Sequence, residues 1–179
     1  MKNIGQSTPL IQLLISQEEI STRTREIATQ INQDYRGESL HVICLLKGAF
    51  IFCADLVRLL TVDTTIDFIK AESYFNETVS SGNVTVSIDL STSFADKHLL
   101  VIDDIIDSGY TMAKIKQIFG EQNPRSLAFC VLLDKPSRRK TEVFVKYIGF
   151  PIEDQFVVGY GMDYQQKYRN LPYIGVITD

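Results

Sequence analysis

The sequence contains no tryptophan, only two histidines and three cysteines, and no apolar stretch of the roughly 20 residues that a membrane helix needs. No membrane partner is therefore expected. Positive charge is not in excess: the formal net charge is −4, which argues against a general nucleic-acid binder, and no block of like charge marks a tail. Basic groups that matter must be placed singly. Cys44, Cys53 and Cys130 are odd in number, lack CxxC spacing and lie in apolar runs, so they read as buried reduced thiols. His41 and His98 each open an apolar run and stand in no H-x-x-H or H-x-E pattern, which removes them as metal ligands. No Ser/His/Asp or Cys/His triad suggests itself. With no signal peptide at Met1-Lys2-Asn3, a cytoplasmic location is expected.

What is present is a chain of one-domain length, 179 residues with 45% hydrophobic content, and residues 1–179 are expected to form a single α/β domain. Ser16-Gln17-Glu18-Glu19 is a capping box with Ser16 as N-cap, after which Ile20, Ile27, Ala28, Ile31 and Tyr35 fall on one helical face until Gly37 supplies a stop. The runs 42–46, 99–102 and 126–133 read as strands buried on both faces. Residues 66–75 and 84–88 alternate as two arms of a hairpin, with a polar, mobile tip at 76–83 between them. Residues 143–148 and then 156–164 complete the chain with aromatic and glycine-rich sequence.

The chemistry concentrates where the run 99–102 ends. Asp103-Asp104-Ile105-Ile106-Asp107-Ser108-Gly109-Tyr110-Thr111 leads from that strand into a helix patterned by Met112, Ile115 and Phe119 and ended by Gly120. Free backbone N–H groups in such a turn form an anion nest, and the helix dipole adds positive charge at the same spot, so a phosphate monoester fits there. Asp103 and Asp104 suit the diol of a sugar, directly or through Mg²⁺, which takes hard oxygen ligands. Asp107, one turn further on, is free to act on a base. Ribose 5-phosphate with a substituent at C1 is the ligand this loop describes. Lys47-Gly48 repeats the layout at the end of another strand, ahead of a helix patterned by Ala49, Phe52, Cys53 and Leu56. A sugar carrying phosphate at one end and pyrophosphate at the other would bridge the two sites, in the crevice beyond the carboxyl ends of the strands. Lys135 is a third cation at a strand end, while Arg138, Arg139 and Lys140 read as solvated or as a subunit contact.

Two acids, two aliphatics and then Asp-Ser-Gly-Tyr-Thr resemble the phosphoribosyl-diphosphate (PRPP) signature of type I phosphoribosyltransferases. Leu132-Leu133-Asp134-Lys135-Pro136 and Phe156-Val157-Val158-Gly159-Tyr160-Gly161-Met162-Asp163-Tyr164, with Arg169 beyond, resemble the purine and pyrophosphate elements of hypoxanthine-guanine phosphoribosyltransferases, bacterial ones in particular. The likeness runs from about Leu45 nearly to the C-terminus.

This resemblance implies the type I phosphoribosyltransferase fold: an α/β architecture whose mostly parallel twisted sheet is flanked by helices, with a flexible lid hairpin based at Ser73 and Tyr74 and a small hood over the base site. It implies purine salvage, by Mg²⁺-dependent transfer of 5-phosphoribose from PRPP to N9 of a 6-oxopurine, hypoxanthine or guanine, giving IMP or GMP and pyrophosphate. A homo-oligomer, dimer or tetramer, goes with it. Residue by residue, Ser108, Gly109, Tyr110 and Thr111 would hold the 5-phosphate, and Asp103 and Asp104 the ribose hydroxyls and the Mg²⁺ shell. Asp107 would take the proton from N7. Lys47, Gly48 and Arg169 would bind pyrophosphate, in the family often through a cis peptide at Leu46-Lys47. Lys135 would donate to the 6-oxo group, Phe156 would stack on the ring, the main chain of Val157 would recognise its edge, and Asp163 at the purine site would hold a second Mg²⁺. Many relatives carry Glu where this chain has Asp103, so charge is kept there and reach shortened. A transferase for another base, a non-catalytic regulatory member of the fold and a phospho-receiver domain stay open as readings of the sequence.

Overall fold

The computed structural model describes residues 9–73, 84–87 and 93–178, with only the backbone at 71–73 and 84–87. In chain order its elements are β1 (Leu10–Ile15), α1 (Gln17–Asp34), β2 (Ser39–Leu46), α2 (Phe50–Val57), β3 (Asp63–Ser73), β4 (Val84–Ser87), β5 (His98–Ile106), α3 (Tyr110–Gly120), β6 (Ser126–Asp134), β7 (Tyr147–Pro151), β8 (Val157–Val158) and β9 (Ile174–Thr178). The capping box sets the start of α1, with Glu19 N donating to Ser16 Oγ at 3.2 Å and Ser16 N to Glu19 Oε2 at 2.8 Å. Those two bonds satisfy backbone donors that a helix start leaves without partners. Ile20, Ile27, Ala28, Ile31 and Tyr35 are all buried, and Gly37 turns the chain at φ +82°.

The main sheet has the order β4-β3-β2-β5-β6-β7, parallel from β3 to β7 with β4 antiparallel at the edge. Alternation along the central strands divides the core in two, as successive side chains of a strand point to opposite faces. Val42, Cys44, Leu100, Ile102, Cys130 and Leu132 pack with the buried residues of α1 and α2. Ile43, Leu45, Leu99, Val101, Phe129 and Val131 pack with Met112, Ile115 and Phe119 of α3. Both faces are covered, which is why these strands read as unbroken apolar runs. The three cysteines are buried and free. A second sheet, β1-β9-β8, is antiparallel and small.

Within the segment 143–148, strand structure begins only at Tyr147. Tyr147 Oη donates to Asp34 Oδ2 at 2.6 Å and Lys146 Nζ lies 2.7 Å from the same oxygen, while Arg23 donates to the carbonyls of Ile148 and Gly149 at 2.7 and 3.0 Å. Contacts with α1 fix the start of β7, and those partners are remote in sequence. The expected hairpin is the β3–β4 pair, registered from Lys70↔Ser87 to Ser73↔Val84. Tyr74 and the loop read as a lid, 76–83, lie outside the described residues.

Succession of the strands decides where a ligand can sit. From β2 the chain crosses to β3 on one side, and from β5 it crosses to β6 on the other, so the direction of winding reverses between β2 and β5. Helices diverge at such a switch point and leave a crevice at the carboxyl ends of the two strands. Lys47-Gly48 and Asp103-Asp104 stand at those ends.

Candidate active site

Gly48 is the closest seam of the crevice. A Cβ added to it would run into the carboxylate of Asp104, and a Cβ on Gly161 would run into the carbonyl oxygen of Gly48. Three segments remote in sequence therefore touch through glycine backbone: the turn after β2, the end of β5, and the loop after β8. The Leu46–Lys47 peptide at this turn is cis. Gly161 itself has φ +104°, which only glycine adopts easily.

Asp103 and Asp104 lie side by side and partly buried at the end of β5. Burial, and then the neighbouring charge of Asp104, hold the Asp103 carboxyl well above the usual carboxylate range. Burial raises Asp104 as well, with hydrogen bonds and the positive charge of Arg169 pulling partly back. Among the described residues no cation forms an ion pair with either acid, so the pair offers hard oxygen to a cation or to hydroxyl donors arriving from outside.

The segment 107–111 forms the turn the sequence predicts. Gly109, at φ +88°, is the N-cap residue of α3 and has no side chain to cap the helix; Tyr110 N donates to Ser108 Oγ at 3.5 Å, and a helix start leaves its other first N–H groups without intrahelical partners. A phosphate can accept from them. Arg138 and Lys140 are exposed and Arg139 is partly so, and the basic loop after Lys135 also makes contacts within the chain. Lys140 N and Thr141 N donate to Ser108 O at 2.9 and 3.1 Å, and a Cβ on Gly109 would lie 2.8 Å from Thr141 O. Arg139 Nη1 donates to Asp107 O at 2.7 Å and its Nη2 to the Asp134 carboxylate. The loop thus buttresses the turn into α3. Nor is Asp107 free: its Oδ1 accepts from Arg138 Nε at 3.0 Å.

Lys135 follows β6 and is only 8% exposed. Its amide donates to Ile106 O at 3.0 Å, and its ammonium lies 3.7 Å from Asp154 Oδ1. Phe156, two residues beyond Asp154, is 57% exposed and meets Tyr164 edge-on at 5.7 Å between ring centroids. The sequence pattern taken alone would put this phenylalanine in the core; it stands instead with a ring face available. Val157 is buried and paired with Val176 in the small sheet.

Asp163, Arg169, Gln166 and Lys47 form one polar group. Arg169 Nη2 is 2.6 Å from Asp163 Oδ1, Gln166 N donates to Asp163 Oδ2 at 2.7 Å, and Lys47 Nζ lies 3.5 Å from Gln166 Oε1. Arg169 Nη1 also donates to Gly161 O at 2.7 Å, which ties this group to the glycine seam. The backbone of Ser73 ends β3.

Sequence reasoning brought together Lys47, Gly48, Asp103, Asp104, the turn 107–111, Lys135, Phe156, Asp163 and Arg169, and missed Arg138, Arg139, Asp134, Asp154 and Gln166. A signal existed for two of these: a pair of arginines three and four residues after Lys135 is more than a solvated loop requires.

The phosphoribosyl transferase domain family matches residues 15–165. The hypoxanthine phosphoribosyltransferase of Salmonella typhimurium is 43% identical over 170 residues, covering 94% of this chain and 96% of that protein. The hypoxanthine-guanine phosphoribosyltransferase of Bacillus subtilis is 43% identical over 166 residues, covering 93% and 92%. A crystal structure of a hypoxanthine-guanine phosphoribosyltransferase from Bacillus anthracis, with a HEPES molecule in its active site, superposes with a TM-score of 0.89 at 46% identity, over 93% of this chain and 98% of that one.

Proposed function

Since this chain belongs to the phosphoribosyl transferase family, in its hypoxanthine and hypoxanthine-guanine branch, we propose a division of labour among the crevice residues. The enzyme transfers phosphoribose to hypoxanthine or guanine in purine salvage. Its substrates are PRPP and the purine; attack by N9 on C1 releases pyrophosphate and gives IMP or GMP. The observation that carries the residue assignment is the meeting of four differently charged segments at the switch point. These are Lys47-Gly48, Asp103-Asp104, the turn into α3, and the buried ammonium of Lys135.

In this reading the N–H groups of 108–111 take the 5-phosphate, and Asp103 and Asp104 hold the ribose hydroxyls. Lys47, the Gly48 amide and Arg169 receive the pyrophosphate. Lys135, which has only donors to offer, reads the 6-oxo edge and disfavours a 6-amino group. Phe156 stacks on the ring, the Val157 main chain faces its edge, and Asp107 accepts the N7 proton as the new bond forms. A lid that excludes water from the sugar cation would be based at Ser73 and at Tyr74, which lies outside the described residues.

The family typically uses PRPP as its Mg²⁺ complex. The acids fit that ion: Mg²⁺ keeps several waters and takes one or two carboxylates plus substrate phosphates, and the described residues hold no cluster of three or more ligating side chains. Asp103 and Asp104 would hold one ion. Asp163, its carboxylate now shared by Arg169 and the Gln166 amide, would hold a second beside the pyrophosphate. Bound Mg²⁺ supplies neutralisation of the leaving charge. A homo-oligomer, dimer or tetramer, accords with the exposed Ile66 and Phe68, which share one face of β3.

Steady-state assays with PRPP and a panel of purines test the assignment. Hypoxanthine and guanine are expected to turn over and adenine is not. Excess EDTA is expected to abolish turnover, and a full rate in its presence would remove Mg²⁺ from the scheme.

A further inference from the structure

A chain of charges runs across the base side of the crevice. Lys135 Nζ lies 3.7 Å from Asp154 Oδ1, Asp154 Oδ2 lies 3.4 Å from Arg138 Nη1, and Arg138 Nε lies 3.0 Å from Asp107 Oδ1. Its two ends are the groups assigned above to the 6-oxo edge and to N7. Asp154 stands between them, paired directly with Lys135 and linked to Asp107 only through Arg138.

Lys135 is buried, whereas Asp154 and Arg138 are each about half exposed. A buried ammonium needs a counter-charge. Asp154 is the one carboxylate that pairs with Lys135 among the described residues. It also reaches Lys135 from the segment that carries Phe156: Ile152 N donates to Asp134 O at 2.8 Å, and that bond anchors the loop next to the end of β6. The ammonium, the stacking ring and the strand end are thereby held in one frame before any purine arrives.

We propose that Asp154 is a positioning residue for 6-oxopurine recognition, holding the Lys135 ammonium at the ring's oxo edge and sharing Arg138 with Asp107. This rests on the reading of Lys135 given above. The acid is ion-paired with a cation that must itself donate to the purine, so its contribution is to purine affinity more than to the chemical step. PRPP binding, at the other side of the crevice, is independent of it.

The test is a double-mutant cycle read in steady-state kinetics, with Asp154→Asn, Lys135→Ala and the pair. Asp154→Asn keeps the side chain's shape and removes its charge at a half-exposed position, so the fold is expected to survive, and a thermal melt checks this. The variant is expected to raise KM for hypoxanthine and guanine about three- to tenfold, as for a partly exposed ion pair with one buried member. KM for PRPP stays within error and kcat moves less than the purine KM. In the Lys135→Ala background, Asp154→Asn is expected to add nothing to the purine KM, because the group it acts through is gone. Independent, additive effects, or a PRPP KM that moves in step with the purine KM, would overturn the proposal. An unchanged purine KM in Asp154→Asn beside a large effect of Lys135→Ala would overturn it while leaving the role of Lys135 standing. An unchanged purine KM in Lys135→Ala itself would bring down the reading on which it rests.

Discussion

Single atoms decide the crevice. Gly48 backs onto the Asp104 carboxylate so closely that a methyl group must displace one of them. Gly48→Ala is therefore expected to lower kcat/KM by about 10²-fold, the order of loss that accompanies an ångström-scale misplacement of reacting groups. The melting temperature should change far less than the activity; a variant with near-normal kinetics would show that the turn gives way freely. Asp107→Asn keeps the shape of the side chain and removes its basicity. Its kcat is expected to fall by about 10²–10⁴-fold with KM for PRPP little changed, the usual range for general-base assistance. Loss of PRPP affinity with a normal kcat would make Asp107 a sugar contact instead. Both residues were legible in the sequence by type and spacing, yet their partners were not. Arg138 lies 31 residues from Asp107, in a loop whose composition suggested solvent.

Elements were legible where local rules suffice. The capping box at Ser16, the apolar face of α1 and the pattern Met112, Ile115, Phe119 each depend on neighbours within a turn or two, and each stands as the sequence indicates. Ser16→Ala removes one of the two reciprocal cap bonds and is expected to cost about 1 kcal/mol of stability, with kinetics unaffected, since Ser16 is not among the crevice residues. Urea unfolding with the activity followed in parallel checks both halves. The start of β7 shows the limit of such rules. Val143 and Val145 continue the apolar alternation and pack against the α3 side of the core, but pairing with β6 begins only at Tyr147, where Asp34 of α1 holds both Tyr147 and Lys146.

At the scale of the whole molecule, the sheet buries His41 at the end opposite the crevice. Desolvation holds its imidazole below the ordinary histidine range, Asp67 opposes that effect in part, and Lys97 adds to it. The folded chain thus resists a proton that the unfolded chain accepts at about pH 6.5. Stability should be complete above that pH and decline as the pH falls below it. Thermal melts between about pH 7.5 and 5.5 are expected to show falling melting temperatures, with a shallower slope in His41→Gln; equal slopes would assign the acid sensitivity to other groups.

The sequence by itself determined the strand–turn–helix units, the reduced cysteines and the acids at the end of β5. Those features arise from interactions among residues a few positions apart. Tertiary structure alone decided that Gly161 closes on Gly48, that the basic loop braces the turn into α3, and that Asp154 and Arg138 pair with Lys135 and Asp107. A charge has many possible partners in an unfolded chain, and only the order of strands in the sheet brings one of them within 4 Å.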